Sequence, residues 1–350
     1  MNDPALRSIA TAVPERALDR AGWLAAADRM SPPDVDRKVL ARLAERSGID
    51  SRGCSASVEG PDAFYGPPGE PDPGTAARMG LWSRSARALA ERAARAAILD
   101  SGLPASAITH VVTASCTGFE SPGIDAHLVE ALGIPRTVRR VNVGFMGCHA
   151  AVNALSVARD AVRSRPGAVA LVCCAEISSA HFHRSARLDH LVANTLFADG
   201  AAAMVVADGP VPRLAATHSA LIPGTAAEMA WTVGDHGFSM TLGAAVPDVL
   251  QRTVGPWVDE VLAQHGMRRG AIGGWAVHPG GPRVLDAVGT SLGLPVDALH
   301  ASRSVLRDHG NMSSATLPFI LKRLGDDRVP RPWVGLAFGP GLVGEMVLVT

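Results

Sequence analysis

Apolar, β-branched runs alternate with Ala-rich stretches along most of the chain. The apolar runs predict strands at Thr109–Ser115, Arg139–Gly144, Ala168–Cys174, Ala202–Ala207, Gly273–His278, Val334–Phe338 and Glu345–Thr350. Stretches of helical periodicity predict helices over Arg37–Ser47, Ala76–Leu99, Cys148–Arg163, Ala244–Gln264, Arg283–Leu292 and Met312–Leu324. The opening segment, MNDPALRSIATAVPERALDR, reads as a first strand and loop. Such alternation predicts a layered α/β fold. Val58–Gly74, dense in Gly and Pro, reads as a surface excursion rather than a core element.

One pattern repeats. Pro122, Leu132, Gly133 and Pro135 return without gaps as Pro282, Leu292, Gly293 and Pro295, each 160 residues later. Each block follows a strand and contains a helix ended by Gly-hydrophobic-Pro, a stop signal. Each is followed by a Gly-X pair that opens a helix: Gly147-Cys148, then Gly310-Asn311. If the two halves pack about a pseudo-dyad, these two helix starts meet at its centre. A nucleophile and a polar amide would then face one another.

Charge narrows the partners. Lys plus Arg and Asp plus Glu are both 33 in 350 residues, so no global field recruits nucleic acid or an acidic surface. No run approaches the roughly 18 uncharged apolar residues of a membrane span. The amino terminus carries charges where a signal peptide would be apolar. The five cysteines (Cys54, Cys116, Cys148, Cys173, Cys174) are odd in number and have no paired spacing, which predicts free thiols and a cytoplasmic setting.

Cys148, in VNVGFMGCHAAVNAL, lies where an apolar strand runs into a small-residue helix. The positive end of the helix dipole would favour its thiolate, the nucleophilic form. The plainer alternative is a buried cysteine filling a strand–helix corner. His278, in GGWAVHPGG, ends a strand and could pair with that thiolate, or could be a hydrogen-bonded loop histidine. Asn311, in RDHGNMSSATLPFIL, could be a helix cap or a neutral hydrogen-bond donor. Together the three supply a nucleophile, a base and a donor, the set needed to hold an acyl thioester and stabilise an enolate.

GCHAAVNAL, TLFADGAAAMVV, WAVHPGGPRVLD, DHGNMSSATLPFIL and AFGPGLVGE resemble the signature segments of the chalcone synthase-like type III polyketide synthases, of bacterial type. The resemblance runs from about Ala76 to the end of the chain and more loosely before it. It implies a thiolase-like αβαβα fold of two related halves, 1–215 with the cysteine and 216–350 with His278 and Asn311. It also implies a homodimer with no cofactor beyond CoA thioester substrates. The implied reaction is iterative decarboxylative Claisen condensation of malonyl-CoA onto an acyl-CoA starter. Cys148 would carry the acyl chain, His278 and Asn311 would form a donor pair, and the product would cyclise to a pyrone or resorcinol-type ring.

The resemblance also implies that Phe197, in TLFADG, is an aromatic gatekeeper between a CoA tunnel and the cavity. Met240 stands where plant members have a second gatekeeper Phe, and its flexible thioether would soften the passage. Cys116 is implied to line the cavity, and Trp231 to take a cavity-floor position that is small in chalcone synthases. Lys38, Arg42 and Arg46, at i, i+4 and i+8 of a predicted helix, form a basic stripe suited to CoA phosphates, or an ordinary solvated face.

HPGGP separates the chain from ketoacyl-ACP synthase III enzymes, which would condense once and stop. A thiolase-fold protein that binds acyl-CoA without turnover is the rival outside enzymology. GPGLVG fits G-x-G-x-x-G but precedes only a short strand, so a dinucleotide reading fails. GTSLG places Ser291 at a helix end rather than at a strand-to-helix elbow. His181 and His183 alternate on a possible strand without a further ligand at metal spacing. Vicinal Cys173 and Cys174 end a buried strand and read as core.

Overall fold

A computed structural model describes residues 3–60, 63–66 and 70–350. The first half runs β1 (Pro4–Ala12), β2 (Ala17–Asp19), α1 (Arg20–Met30), α2 (Arg37–Ser47), β3 (Ser51–Gly53), α3 (Thr75–Ser101), β4 (His110–Ser115) and α4 (Ile124–Leu132). It continues through β5 (Arg139–Gly144), α5 (Ala150–Ser164), β6 (Val169–Ile177), α6 (Leu188–Leu196) and β7 (Asp199–Asp208). The second half holds β8 (Leu214–Leu221), β9 (Met229–Gly234), β10 (Gly237–Leu242), α7 (Val246–Gln264) and β11 (Gly274–Val277). It closes with α8 (Pro282–Leu292), α9 (His300–His309), α10 (Thr316–Asp326), β12 (Trp333–Gly339) and β13 (Val343–Val349).

The two larger sheets are ordered β1-β7-β6-β4-β5 and β11-β12-β13-β8, with β2–β3 and β9–β10 forming two-stranded sheets beside them. Within them β4 runs parallel to β5 and β6, and β11 parallel to β12. Alternation along β6 sorts its side chains between two cores. Leu171 and Cys173 pack with the α3 alanines, while Val172 and Cys174 face α5 and α10. Helices α5 and α10 are therefore shared, their apolar faces buried against both sheets. On the far side of the second sheet, α7 and α8 bury Leu250 and Leu285 against Val277, Leu336 and Leu348. The result is five layers, αβαβα, with helix pairs outside, two sheets and a helical middle. A strand covered on both faces must be apolar throughout, which is why β6 and β7 read as continuous hydrophobic runs.

The repeat in the sequence is a repeat in space. Strand β4 leads to α4, which Gly133 ends in the left-handed region, and β11 leads to α8, ended likewise by Gly293. Further along each half a helix, α5 in the first and α10 (after α9) in the second, enters the shared middle layer.

Some expectations needed correction. Helix α5 begins at Ala150, not Cys148, and Met312 is followed by a 3-10 turn before α10 starts at Thr316. Ser313, with φ +47, breaks the helix there. His181 ends a 3-10 turn rather than lying on a strand. The Val58–Gly74 excursion lies partly outside the described residues. Its described part has no helix or strand, yet Tyr65 is buried and its hydroxyl donates to the Ser179 carbonyl at 2.6 Å.

Candidate active site

The site lies at the carboxyl ends of the parallel strands, where open α/β sheets leave crevices. Beyond β5 the chain turns through Phe145 (φ 60) and Gly147 (φ 93) and delivers Cys148 to the start of α5. Two hydrogen bonds hold this turn: Gly147 N donates to the Cys116 sulfur at 2.9 Å, and the Cys116 thiol donates to the Gly147 carbonyl at 3.1 Å. Cys116 therefore braces the nucleophile's turn. From the other half, Ser313 Oγ donates to Cys148 Sγ at 3.6 Å.

Cys148 and Asn311 line one pocket together with Phe197, Met240, Met229 and Phe338. The second residues of the two Gly-X pairs in the internal repeat thus share one pocket, although both lie in the turns ahead of α5 and α10 rather than within those helices. Asn311 Oδ1 accepts from Ser313 N at 2.9 Å, which leaves Nδ2 to donate. Its backbone pairs with the gatekeeper segment: Asn311 N donates to Leu196 O (3.0 Å) and Ala198 N donates to Asn311 O (2.8 Å). Phe197 is clamped between these bonds, at the end of α6.

His278 follows β11, its N–H donating to Leu336 O on β12 at 2.8 Å. Gly280, two residues on, lines the Cys148 pocket. Both ring nitrogens of His278 are buried and make no hydrogen bond. Burial pushes its imidazolium down to about 3, and proximity to His149 acts in the same direction.

Burial works against the expected thiolate. Burial pushes the Cys148 thiol up to about 12, with the Ser313 hydrogen bond opposing and the Glu176 carboxyl adding to the rise. A helix dipole contributes about 0.3–1 kcal/mol, less than one pKa unit. Cys148 is only 6% exposed, so desolvation wins.

The inner pocket measures about 20 Å³, room for one water. It opens onto an outer groove of about 850 Å³ and shares Asp189, Leu196, Leu242, Gly280 and Val284 with it. Arg42 and Arg46 line that groove, but Lys38 does not. Steps of four residues drift by about 40° around a helix, so the first member of the stripe has rotated away; Val39 and Leu43 take the groove face with the two arginines. Trp231 stands behind the pocket: its indole N–H donates to Cys116 O at 2.7 Å, and its ring lies 6.2 Å from Phe197. Met240 is its cross-strand partner on the β9–β10 hairpin.

Two buried groups escaped sequence reasoning. Glu176, fully buried on β6, accepts from Cys116 N (3.0 Å), Thr117 N (3.1 Å), Thr117 Oγ1 (2.7 Å) and Ser314 Oγ. Burial raises its carboxyl above the ordinary range. It ties the turn after β4 to the Asn311 turn, and a Glu within VALVCCAEI was the available signal. His149, beside the nucleophile, is the other. The remaining motifs are structural: His181 donates to Thr117 O (2.6 Å) and accepts from Phe238 N (3.0 Å), and His183 Nε2 bonds Phe238 O (2.8 Å). Ser291 Oγ accepts from Gly255 N at 2.8 Å, and the GPGLVG loop joins β12 directly to β13.

Comparison with known proteins agrees with this geometry. Residues 5–210 match the family "Chalcone and stilbene synthases, N-terminal domain", and residues 213–350 match its C-terminal domain. A 1,3,6,8-tetrahydroxynaphthalene synthase of Streptomyces peucetius subsp. caesius is 36% identical over 92% of this chain and 86% of its own. The alpha-pyrone synthesis polyketide synthase-like Pks18 of Mycobacterium tuberculosis is 31% identical over 98% and 90%. The crystal structure of PKS-I from the brown alga Ectocarpus siliculosus superposes with a TM-score of 0.95 at 28% identity, covering all of this chain and 98% of that one. The chain belongs to the chalcone and stilbene synthase family and is an acyl-transferring enzyme of the type III polyketide synthases.

Proposed function

We propose that this enzyme loads an acyl-CoA starter onto Cys148, extends it by repeated decarboxylative condensation with malonyl-CoA, and cyclises the product to a pyrone or resorcinol-type ring. The observation that carries the proposal is the convergence of Cys148 and Asn311, from opposite halves, on one buried pocket behind Phe197. Because burial disfavours charge on both Cys148 and His278, the thiol gives up its proton only to a neighbouring base, as a coupled pair. The sulfur then attacks the starter's carbonyl. When malonyl-CoA loses CO2, the developing enolate oxygen needs fixed donors in a dry site. The unpartnered His278 ring and the free Asn311 Nδ2 are suited to that task. The groove supplies an apolar wall for the pantetheine arm and, at Arg42 and Arg46, cations for the CoA phosphates. The chemistry calls for no metal or redox cofactor.

The finer assembly belongs to the same reading. Strand β5 is an open sheet edge, and Phe119, Val141, Phe145 and Met146 around it are 37–53% exposed. An uncovered edge beside such a patch favours pairing with a second copy, hence a homodimer. Five buried free thiols suit the cytoplasm. Among the described residues no helix is long and apolar enough to cross a membrane.

The test is product mass after incubation with malonyl-CoA, alone and with acyl-CoA starters of increasing length. Masses corresponding to two or more extensions are expected, and products of a single extension would contradict iteration. Because Trp231 backs Phe197 and Met240, Trp231→Ala should widen the pocket and shift kcat/KM toward longer starters by about 10-fold. An unchanged starter ranking would remove Trp231 from the specificity wall.

A further inference from the structure

The hairpin that carries Trp231 and Met240 is a small sheet of its own: among the described residues β10 pairs with β9 and with no other strand. Histidine side chains hold β10 in place of a further strand. Phe238 N donates to His181 Nδ1 at 3.0 Å, and Phe238 O accepts from His183 Nε2 at 2.8 Å. A carbonyl can only accept, so His183 carries a proton on Nε2. One residue on, Ser239 Oγ lies 3.0 Å from His190 Nε2. The residue after that is Met240, a wall of the Cys148 pocket. The turn of the hairpin is held separately, by the start of α3: Thr75 N donates to Asp235 O at 2.8 Å, and Gly237 N donates to Thr75 Oγ1 at 2.9 Å.

His183 precedes α6 and His190 lies within it, and α6 ends at Phe197. The two rings stack, with centroids 4.4 Å apart and planes 21° from parallel. Asn194, one turn beyond His190, fixes His183 to the helix: its Oδ1 accepts from His183 N at 3.2 Å, and its Nδ2 donates to His183 O at 2.8 Å. The stacked pair is therefore a strut between the helix that leads to Phe197 and the strand that bears Met240. Phe197 and Met240 line the same pocket. The pair is not core filling, since both rings also line a surface cleft of about 610 Å³ with Asp72 and His236. Burial lowers the basicity of both, which keeps them neutral near neutral pH and lets them stack without like-charge repulsion.

We propose that the stacked His183–His190 pair sets the opening between Phe197 and Met240, and with it the length of acyl starter that reaches Cys148. Both are positioning residues: His183 acts through Phe238, and His190 through Ser239. The inner pocket has room for one water, so even a small movement of β10 away from α6 enlarges it by a large fraction. Truncating either ring removes the contact that opposes that movement, while the Thr75 bonds keep the hairpin attached at its turn.

This inference rests on Cys148 being the residue that is acylated, and its test keeps the two apart. The rate of Cys148 acylation by acetyl-, hexanoyl- and dodecanoyl-CoA is followed by intact mass and needs no condensation. His183→Ala and His190→Ala are each expected to raise the dodecanoyl-to-acetyl rate ratio by about 10-fold. His183→Gln can still donate to Phe238 O and should return the ratio to near the wild-type value. Ser239→Ala removes the His190 contact from the other side. It should shift the ratio in the same direction and add nothing further when combined with His190→Ala, because both remove one interaction. Ser239→Ala also serves if the histidine variants do not fold. Alanine variants that slow all three thioesters equally, or His190 and Ser239 effects that simply add, would overturn the assignment, since the rings would then stabilise the hairpin without setting the passage. A wild-type protein that forms no adduct removes the acyl site and the strut with it, whereas adducts with unshifted ratios count against the strut alone.

Discussion

Replacing Asn311 by alanine is expected to slow decarboxylation of malonyl-CoA by about two to three orders of magnitude, as loss of one oxyanion donor does elsewhere. Acylation of Cys148 by the starter should fall far less. The side chain does two things: Oδ1 accepts from Ser313 N, and Nδ2 is left to donate into the pocket shared with Cys148. Alanine removes both, and Ser313 is the residue whose hydroxyl meets the Cys148 sulfur, so a purely local disturbance must be excluded. Asn311→Asp does this. It retains an acceptor for Ser313 N and loses the donor, so it should lose decarboxylation as fully as alanine. Release of labelled CO2 measures one step, and intact mass of the acylated protein measures the other. An Asp variant that decarboxylates near the wild-type rate would make Asn311 a cap and nothing more.

The second large effect is expected at Gly147. Its φ of 93 lies in the region that side chains resist, and a Cβ there would stand 2.2 Å from Pro340 Cδ. Gly147→Ala should cost on the order of 2 kcal/mol in strain alone, with the clash adding to it. Relief of that clash must move either the β12–β13 turn or the turn that carries Cys148. A displacement of about 1 Å at a reacting atom can cost about 10²-fold in rate. The expected result is a lower denaturant midpoint together with a loss of acylation of that order. Gly133→Ala is the control, because φ is also positive there (65) but no atom lies within 4 Å of the new Cβ. It should lose some stability and keep its acylation rate. Equal losses of acylation in the two variants would mean that general destabilisation, not the geometry at Cys148, is responsible.

The parts of the molecule legible in the sequence were those set by local pattern. Helix α2 falls on the predicted Arg37–Ser47 because its Asp36 cap and its left-handed Gly48 are local signals. The repeat of Pro122–Pro135 at Pro282–Pro295 pointed to Cys148 and Asn311, which share one pocket. What stayed hidden depends on burial and on pairs distant in sequence. The helix dipole favours a Cys148 thiolate only slightly, and burial, which pushes the thiol up to about 12, outweighs it. Only the fold shows the Cys116 thiol bonded to the Gly147 backbone. The β9–β10 hairpin, whose strands pair Trp231 with Met240, has half-exposed faces and little apolar pattern to mark it. Glu345 sits within an apolar terminal strand and gives no hint that its partner is Asn153, distant in the chain.

The most direct measurement of the central claim is the intact mass of the protein after brief exposure to starter acyl-CoA thioesters, short and long. A single acyl adduct is predicted, mapped to the peptide carrying Cys148 and absent from Cys148→Ala. An adduct that persists in Cys148→Ala, or a wild-type protein left unmodified by every starter, would contradict it.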